Sequence, residues 1–203
     1  MNLTKYIGEQ FGKPTGIGGR LSTFIMNRMN QKQYKSVIKA IGSNPQEKIL
    51  DVGFGNGYLI NKLAKHSQSQ FYGIEISEDM VELARKRNHK FIQGNRMHLE
   101  KGNVLNMDYR NDFFDGVYTV NTIYFWSDID RGLSEIKRVL KPGGLFVNAI
   151  YSKEFLDKLK YTDYGFSKYT PTEIEEAALR NELKIVNAIE IKPNLSYCFI
   201  LQK

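Results

Sequence analysis

Short apolar runs alternate with segments of helical periodicity from Lys48 to the end of the chain. A strand followed by a crossover helix pairs in parallel with a neighbouring strand, so this alternation predicts an α/β fold on a doubly wound, mostly parallel sheet. The last two strands adjoin through Pro193-Asn194 and predict an antiparallel hairpin. The predicted strands are KILDVG (48–53), QFYGIEI (70–76), RMHLEKG (96–102), FFDGVYTVNT (113–122), GLFVNAIY (144–151), LKIVNAIEI (183–191) and SYCFILQK (196–203).

Local signals mark where the helices between these strands begin and end. Ser77 is a predicted N-cap, because its hydroxyl can accept a bond from a free N–H of the first turn. Pro171 favours a helix start, with Thr170 or Thr172 as its cap. Pro142-Gly143-Gly144 is expected to stop the helix DIDRGLSEIKRVL. A further helix opens near Asn56 and continues to Lys65, and the side chains expected to face the sheet are Met80, Val81, Leu83, Ala84, Leu133, Ile136, Val139 and Leu140.

Positive charge is concentrated near the start of the chain. The 203 residues carry a formal net charge of +7, and residues 1–47 hold seven basic and two acidic side chains. Residues 20–41 predict a helix whose Arg28, Lys32, Lys35 and Lys39 form one basic face, and most such faces are simply solvated. A positive field can attract nucleic acid, an anionic metabolite or an anionic membrane, and charge alone selects none of them. The apolar residues of this helix available for burial are Leu21, Phe24, Ile25, Met29, Val37, Ile38 and Ile41.

Composition and residue pattern argue against a disulfide-bonded, secreted, membrane-spanning or zinc-binding protein. Cys198 is the only cysteine, so no intrachain disulfide is expected and a cytoplasmic location is predicted. The first residues lack a secretory pattern, and no stretch approaches the ~18 apolar residues of a membrane span. The length predicts a single domain over residues 1–203. No spacing of His, Cys and Asp resembles a zinc site, so no metal is predicted.

Three glycines follow the first strand in LDVGFGNG, at Gly53, Gly55 and Gly57. Glycine is needed where the backbone takes a positive φ or a ligand approaches closely, so this turn predicts a nucleotide-like ligand. The dinucleotide pattern G-x-G-x-x-G does not fit, because Tyr58 stands at its last position, and no Gly-Lys-Ser/Thr of a phosphate loop follows. Glu75 ends the second strand, where a carboxylate can accept both hydroxyls of a ribose. A nucleoside without phosphates is therefore favoured.

The order and spacing of five segments resemble the successive motifs of class I S-adenosylmethionine-dependent methyltransferases. These segments are LDVGFGNG, GIEIS, Asn103 after the third strand, FDGVYTVNTIYFW and LSEIKRVLKPGG. The resemblance implies a Rossmann-like, seven-stranded sheet in the order 3-2-1-4-5-7-6 with strand 7 antiparallel. The chain looks most like the small-molecule branch of the bacterial enzymes, which makes residues 1–43 an N-terminal helical cap and residues 152–170 an insertion on the substrate side.

The resemblance also assigns S-adenosyl-L-methionine as the cofactor and gives roles to the first glycine turn. Gly53, Gly55 and Gly57 would line the turn under the methionine part of the cofactor. Asp51, at the end of the first strand, would hold the loop or contact the amino group through water, and its residue type fits a purely loop-fixing role equally well.

Five further residues are implied to contact the cofactor. Glu75 would hold the ribose diol and Ile76 would pack on the adenine. Asn103 and the backbone of Val104 would bond to the adenine edge; many family members carry Asp at this position, although an amide oxygen can also accept a hydrogen bond. Asn121, after the fourth strand, can also touch the cofactor.

Aromatic residues in two places could wall a methyl-acceptor site, although each could equally pack in the core. Tyr124, Phe125 and Trp126 follow the fourth strand and so lie beside the glycine turn at the carboxyl edge of the sheet, which makes Tyr124 and Trp126 the predicted acceptor contacts. An aromatic face also stabilises a sulfonium. In-line methyl transfer depends on alignment and needs no base. Where the acceptor must lose a proton, Tyr124 and His98 are the candidates. The second group, in residues 152–170, is Tyr161, Tyr164, Phe166 and Tyr169.

The sequence therefore predicts an S-adenosylmethionine-dependent methyltransferase acting on a small-molecule acceptor. An RNA methyltransferase and a non-catalytic S-adenosylmethionine-binding protein are the alternatives. Asn121-Thr122-Ile123-Tyr124 lacks the prolines of the DNA and RNA amino methyltransferases, which makes nucleic acid the weaker partner, but the basic helix keeps RNA open. The sequence indicates neither the acceptor atom nor the oligomeric state.

Overall fold

The computed structural model describes residues 4, 8, 11, 26–42 and 48–203, which contain a seven-stranded sheet. Its strands are β1 (Lys48–Val52), β2 (Gln70–Glu75), β3 (Met97–Lys101), β4 (Phe114–Val120), β5 (Leu140–Tyr151), β6 (Lys184–Lys192) and β7 (Ser196–Gln202). The helices are α1 (Gln31–Gly42), α2 (Tyr58–Lys65), α3 (Glu78–Arg87), α4 (His89–Gln93), α5 (Ile129–Val139), α6 (Lys153–Leu156) and α7 (Pro171–Arg180), and 3-10 turns lie at Ile123–Phe125 and Lys160–Asp163.

The sheet has the predicted order β3-β2-β1-β4-β5-β7-β6. The first five strands pair in parallel, and β7 runs antiparallel to both β5 and β6. Successive residues of a strand point to opposite faces, and both faces are covered. Tyr118 and Val147 pack on the side of α1, α2 and α3, whereas Val117 and Phe146 pack on the side of α5 and α7. This doubly wound arrangement brings the carboxyl ends of β1, β2 and β4 to one edge.

The helix that leaves β2 follows its local sequence signals closely. The predicted N-cap is confirmed, because the Ser77 hydroxyl accepts a bond from the backbone N–H of Met80. Met80, Val81 and Ala84 are fully buried against the sheet, and Leu83 is half-buried. The cap fixes the chain direction immediately after Glu75, the last residue of β2.

The boundary between α5 and β5 differs from the prediction. Helix α5 ends at Val139, and β5 begins at Leu140 rather than at Gly144, so Pro142-Gly143-Gly144 lies within the strand. The register shifts between Phe114 and Gly116 of β4, which absorbs the extra residues of β5 as a bulge. Gly143, at φ +79°, also exchanges bonds with the C-terminal residues Gln202 and Lys203. The Pro-Gly-Gly segment therefore acts as an irregular strand start.

The N-terminal helical region agrees only in part with the prediction. Residues 26–29 are helical and lead through Asn30 into α1, in which Val37 and Ile41 are buried and Ile38 is half-buried. Met29 was expected to be buried but is 49% exposed. The four predicted basic-face residues are exposed, whereas Leu21, Phe24 and Ile25 lie outside the described residues.

The segment after β5 contains the short helix α6 and the 3-10 turn Lys160–Asp163. Helix α7 then begins at Pro171, and of the two predicted caps Thr170 is the one used. Its hydroxyl accepts from the backbone of Glu173, whose carboxylate accepts in return from the backbone N–H of Thr170. In the described part of the chain, no helix combines the length and apolarity needed to cross a membrane.

Replacing Gly57 by alanine is expected to destabilise the fold more than the same change at Gly143. Both residues have positive φ, +70° and +79°, so both variants bear the conformational cost of about 1–2 kcal/mol. A methyl group at Gly57 would also lie 2.8 Å from the Cβ of Ala84, whereas at Gly143 it would meet nothing within 4 Å. Urea denaturation should show an additional loss of about 1–3 kcal/mol for Gly57→Ala. Equal losses in the two variants would contradict this packing.

Candidate active site

A cavity of about 530 Å³ opens at the carboxyl edge of the sheet, above β1, β2 and β4. This volume lies within the range of small-molecule and cofactor sites. Of the predicted cofactor residues, its lining includes Gly53, Gly55, Glu75, Ile76, Asn103, Val104 and Asn121, but not Asp51 or Gly57. Seven of the residues selected from sequence thus surround one space, although they come from four separate segments of the chain.

Glycine is needed at each of the three positions of the turn after β1 for a different structural reason. Gly53, at φ +75°, donates its N–H to the carbonyl of Ile74 and extends the pairing of β1 with β2. Gly57, at φ +70°, allows the first turn of α2 to pack against Ala84 of α3. Gly55, at φ +53°, is the one that faces open space, because an added Cβ would meet no atom within 4 Å. Gly55 therefore leaves room for a ligand to approach the backbone.

The carboxylate of Glu75 joins the glycine turn to the start of α3. One oxygen accepts the N–H of Gly55 at 3.0 Å, and the other accepts the N–H of Ser77 at 3.0 Å. Glu75 is only 7% exposed, and this burial raises its pKa, while the backbone donors oppose the shift. Each oxygen retains a lone pair, so the carboxylate can still accept ligand hydroxyls.

The end of α3 holds the glycine turn from its other side. Arg87 donates to the backbone carbonyl of Asn56 at 2.8 Å and to its side-chain oxygen at 2.6 Å. Asn88 donates to the carbonyl of Gly57 at 3.2 Å and accepts from Asn61 at 2.8 Å. Sequence analysis did not identify Arg87 or Asn88, because a turn 31 residues away gives no local signal for its partner.

Asp51 lies beneath the turn rather than in the cavity wall. It is 3% exposed and accepts a 2.8 Å bond from the hydroxyl of Tyr118 on β4. Burial raises its pKa to about 8, and the nearby Glu75 carboxylate contributes to the shift. This position supports the loop-fixing role of Asp51 over direct contact with a ligand.

Residues after β2 and β3 form the opposite wall of the cavity. Ile76 is 46% exposed although it is apolar. A flat apolar ring that covered it would gain binding free energy from the buried apolar surface. Val104 is buried, and the side-chain oxygen of Asn103 accepts the N–H of Leu105 at 3.0 Å. Asn103 therefore forms a turn, and it is also an exposed residue that lines the cavity.

Asn27 and Asn30 of the N-terminal region line a third side of the cavity, and neither is among the site residues predicted from sequence. Gln33 of α1 and Asn121 exchange two amide bonds, at 3.1 and 2.8 Å, and both side chains are buried. Asn30 accepts from the hydroxyl of Tyr151, and Asn27 donates to Asn56 in the glycine turn. The signal was present in the i, i+3, i+6 spacing of these three amide residues on a helix, opposite the basic face.

A second, apolar pocket of about 40 Å³ adjoins the cavity, and the two share part of their lining. The shared side chains include Met26, Asn121 and Phe125, and the far end of the pocket is formed by Leu156 and Leu159 of the 152–170 segment. Met26 and Met29 both line it, and their flexible side chains can adapt to a larger occupant. Of the predicted aromatics, Tyr124, Tyr161 and Phe166 line this pocket, Trp126 and Tyr164 line the cavity, and Tyr169 packs on the core.

The two candidates for a general base do not have suitable environments. The buried hydroxyl of Tyr124 accepts the N–H of Tyr151, and burial raises its pKa well above the usual value. His98 is exposed on β3, where its ring stacks on Tyr72 at 5.0 Å, and it is not part of the cavity lining. Tyr124 thus supports the wall, and His98 is a surface residue of the sheet. The described residues also contain no group of three or more His, Cys, Asp or Glu suited to a metal.

Comparison with known proteins agrees with this geometry. The family model described as "Methyltransferase domain" matches residues 50–148. The "Uncharacterized methyltransferase YdaC" of Bacillus subtilis (strain 168) is 28% identical over 185 residues, which cover 90% of this chain and 98% of that protein. The chain belongs to the class I S-adenosylmethionine-dependent methyltransferases.

Two other proteins show how far the similarity extends. The "24-methylenesterol C-methyltransferase 3" of Arabidopsis thaliana is 35% identical over 136 residues, and the match spans 67% of this chain but only 36% of the plant protein. The crystal structure of the geranyl diphosphate C-methyltransferase from Streptomyces coelicolor A3(2) superposes with a TM-score of 0.76 at 13% identity, over 86% of this chain and 78% of that one. The structural likeness shows the shared fold.

The cavity of this methyltransferase fits S-adenosylmethionine, the cofactor of the family. The open space beside Gly55 is a cradle that any Cβ would enter. The Glu75 carboxylate and the exposed face of Ile76 offer, on one rim, an acceptor for hydroxyls and a surface for a ring. These features match a nucleoside with a sulfonium tail. None of the seven predicted cofactor residues that line the cavity has a cationic side chain.

The buried carboxyl of Asp51 should make the stability of the enzyme depend on pH. Its folded pKa, about 8, lies above its ordinary value of 3.8, so its contribution is present below pH ~4 and is lost as the pH rises towards 8. In this window the wild type should lose stability relative to Asp51→Asn by up to about 1.4 kcal/mol per pH unit. The asparagine keeps an oxygen for Tyr118, and urea denaturation at pH 5, 7 and 9 measures the difference. Parallel profiles for the two proteins would refute a protonated Asp51.

Proposed function

We propose that this methyltransferase transfers the methyl group of S-adenosylmethionine to a small, largely apolar acceptor that binds in the pocket beside the cofactor cavity. The observation that carries the proposal is the shared wall of Met26, Asn121 and Phe125, which places an apolar pocket directly against the cavity. A reacting atom in that pocket and a methyl group in the cavity would be adjacent. The protein 35% identical to part of this chain is named for methylation of a sterol, which is also an apolar molecule.

The cofactor would be oriented by residues from the carboxyl ends of three strands. The Glu75 carboxylate would accept the ribose hydroxyls, since both of its oxygens retain a free lone pair. Ile76 and Val104 would enclose the adenine, with Asn103 at its edge. Gly53 and Gly55 would lie under the methionine part, and Asn121 would contact the reactive end. Asp51 and Gly57 would act through the shape of the turn rather than by contact.

The bound cofactor supplies an electrophilic methyl group and its own leaving group, so the chain mainly has to align the acceptor. Phe125 and Trp126 are suited to this, because Phe125 lines both the cavity and the acceptor pocket and Trp126 follows it in the cavity wall. Trp126 is fixed by close packing on Gly132, where an added Cβ would lie 2.6 Å from its ring. Holding two reactants in attack geometry can supply about 7–11 kcal/mol without a base.

The two segments flanking the core domain would complete the acceptor site. Residues 1–43 would act as the helical cap and residues 152–170 as the substrate-side insertion. The stacking of Phe11 on Tyr161, at 4.9 Å between ring centroids, supports this role because it joins the two segments. The bond from Ser167 N–H to the Tyr124 carbonyl, at 2.8 Å, ties the insertion to the loop after β4.

Neutralising Glu75 should weaken cofactor binding. In Glu75→Gln, one oxygen becomes a donor, so the side chain can no longer accept from Gly55, Ser77 and two ribose hydroxyls together. We expect S-adenosylmethionine and S-adenosylhomocysteine to bind about tenfold or more weakly by isothermal titration calorimetry. Glu82→Gln, an exposed carboxylate on α3, is the matched control and should bind as the wild type does. Unchanged affinity in Glu75→Gln would remove this assignment.

Filling the acceptor pocket should impair methyl transfer without affecting the cofactor. Leu159 lines the small pocket but not the cavity, so Leu159→Trp should lower kcat/KM for the acceptor at least about tenfold while the Kd of S-adenosylmethionine stays unchanged. Transfer of a labelled methyl group to a pool of apolar metabolites provides the assay. Leu179→Trp, at a 60% exposed position of α7, is the control.

Two outcomes of this assay would count against the proposal. Transfer by Leu159→Trp at the wild-type rate would place the acceptor elsewhere. Cofactor binding by the wild type without any transfer would indicate a binding protein rather than an enzyme for apolar acceptors.

A further inference from the structure

The basic face of the N-terminal region is not used by the proposed reaction. Arg28 precedes α1 and Lys32, Lys35 and Lys39 lie on it, at i, i+4, i+7 and i+11, and all four are exposed. Helical bonds from Asn30 N–H to the Met26 carbonyl and from Tyr34 N–H to the Asn30 carbonyl continue the helix past the turn at Asn30. None of the four side chains has an ion pair with another described residue.

An exposed apolar side chain that lines the pocket lies beside this basic face. Met29 is 49% exposed and at the same time lines the acceptor pocket, so the pocket reaches the surface there. Arg28 is next to Met29 in sequence, and Lys32 is one helical turn away on the same side. The opening on this side is therefore flanked by two cations.

The 152–170 segment also carries basic side chains next to a residue that lines the pocket. Leu159 lines the pocket, and its two sequence neighbours, Lys158 and Lys160, are both exposed. No ion pair joins either lysine to another described residue, whereas Lys153 and Lys168 of the same segment pair with Asp157. An apolar pocket is thus flanked by two pairs of basic side chains that form no ion pair within the described part of the chain.

We propose that this surface, formed by Arg28, Met29, Lys32, Lys158 and Lys160, docks on an anionic lipid bilayer, from which the apolar acceptor enters the pocket. Cations at the level of the headgroups are attracted by the negative surface potential of the bilayer. An exposed methionine beside them can insert among the acyl chains. The inference rests on the proposed function, because it explains how an acceptor of low water solubility would reach the site.

The exposed apolar side chains favour a bilayer over RNA as the partner of this surface. Single-stranded nucleic acid is usually held by exposed aromatic rings on which bases stack. Within residues 26–42 and 48–203, the exposed large apolar side chains are Met29, Ile76, Leu179 and Val186, none of which is aromatic. The exposed apolar side chain that belongs to the basic surface, Met29, is thus not aromatic.

Vesicle sedimentation with the full chain tests the proposal. The probes are vesicles of phosphatidylcholine alone and of phosphatidylcholine with about one third phosphatidylglycerol, compared with a single-stranded RNA in a retention assay. The test variant is Arg28→Glu/Lys32→Glu. The matched control is Lys86→Glu/Lys90→Glu, which changes the net charge equally at two exposed positions of α3 and α4.

We expect the wild type and the control to partition at least about tenfold more strongly onto the anionic vesicles than onto the neutral ones, and Arg28→Glu/Lys32→Glu to lose about twentyfold or more in partitioning. Met29→Gln should also lose partitioning, since it keeps the charge but removes the inserting group. The inference is overturned by equal losses in both double variants, by no preference for anionic vesicles, or by retention on RNA that exceeds vesicle binding.

Failure of this inference can be distinguished from failure of the proposed function. S-adenosylmethionine affinity is measured on the same preparations and should be equal in the wild type and both double variants, which also verifies folding. Normal cofactor binding and methyl transfer to a detergent-dispersed apolar acceptor, without any vesicle binding, would overturn the docking surface alone. Absence of cofactor binding in the wild type would instead overturn the function on which it rests.

Discussion

The carboxylate of Glu75 is the interaction on which the candidate site depends. Its two oxygens hold the N–H groups of Gly55 and Ser77, which belong to the turns after β1 and β2. Because both bonds are made by one buried group, the two turns have a fixed relative position before any ligand binds. The same carboxylate faces the cavity, so the group that shapes the site is also the one best suited to recognise the ribose.

The cavity is completed by parts of the chain that lie outside the parallel core. One wall includes Asn27 and Asn30, which bond to the glycine turn and to β5, and Gln33 supports this wall by bonding to Asn121. The adjoining apolar pocket is formed in part by residues after β5. In the proposed function, the core would provide the cofactor geometry and the flanking segments would determine what can lie next to it, which fits a fold that serves many acceptors.

Much of this could be predicted from sequence because the signals are local. The glycines, Glu75 and the Ser77 cap each follow from a few neighbouring residues, and family resemblance supplied the strand order. The start of β5 was missed because Pro142-Gly143-Gly144 normally ends an element, and only pairing with Phe114 and Lys203 shows that it belongs to a strand. The spacing of Asn27, Asn30 and Gln33 indicates an amide face on the helix, but no local signal identifies Asn121, 88 residues away, as the partner of Gln33. Tyr124 lines the apolar pocket, but burial of its hydroxyl raises its pKa well above the usual value, and no local pattern predicts that burial.

The reciprocal bonds between Gln33 and Asn121 also connect α1 to the loop after β4. Each of the two amide bonds is worth about 0.5–1.5 kcal/mol net, and they add to the burial of Val37 and Ile41, which anchors the same helix in the core. The position of Asn121 in the cavity wall therefore depends on a helix that precedes it by 88 residues in the chain.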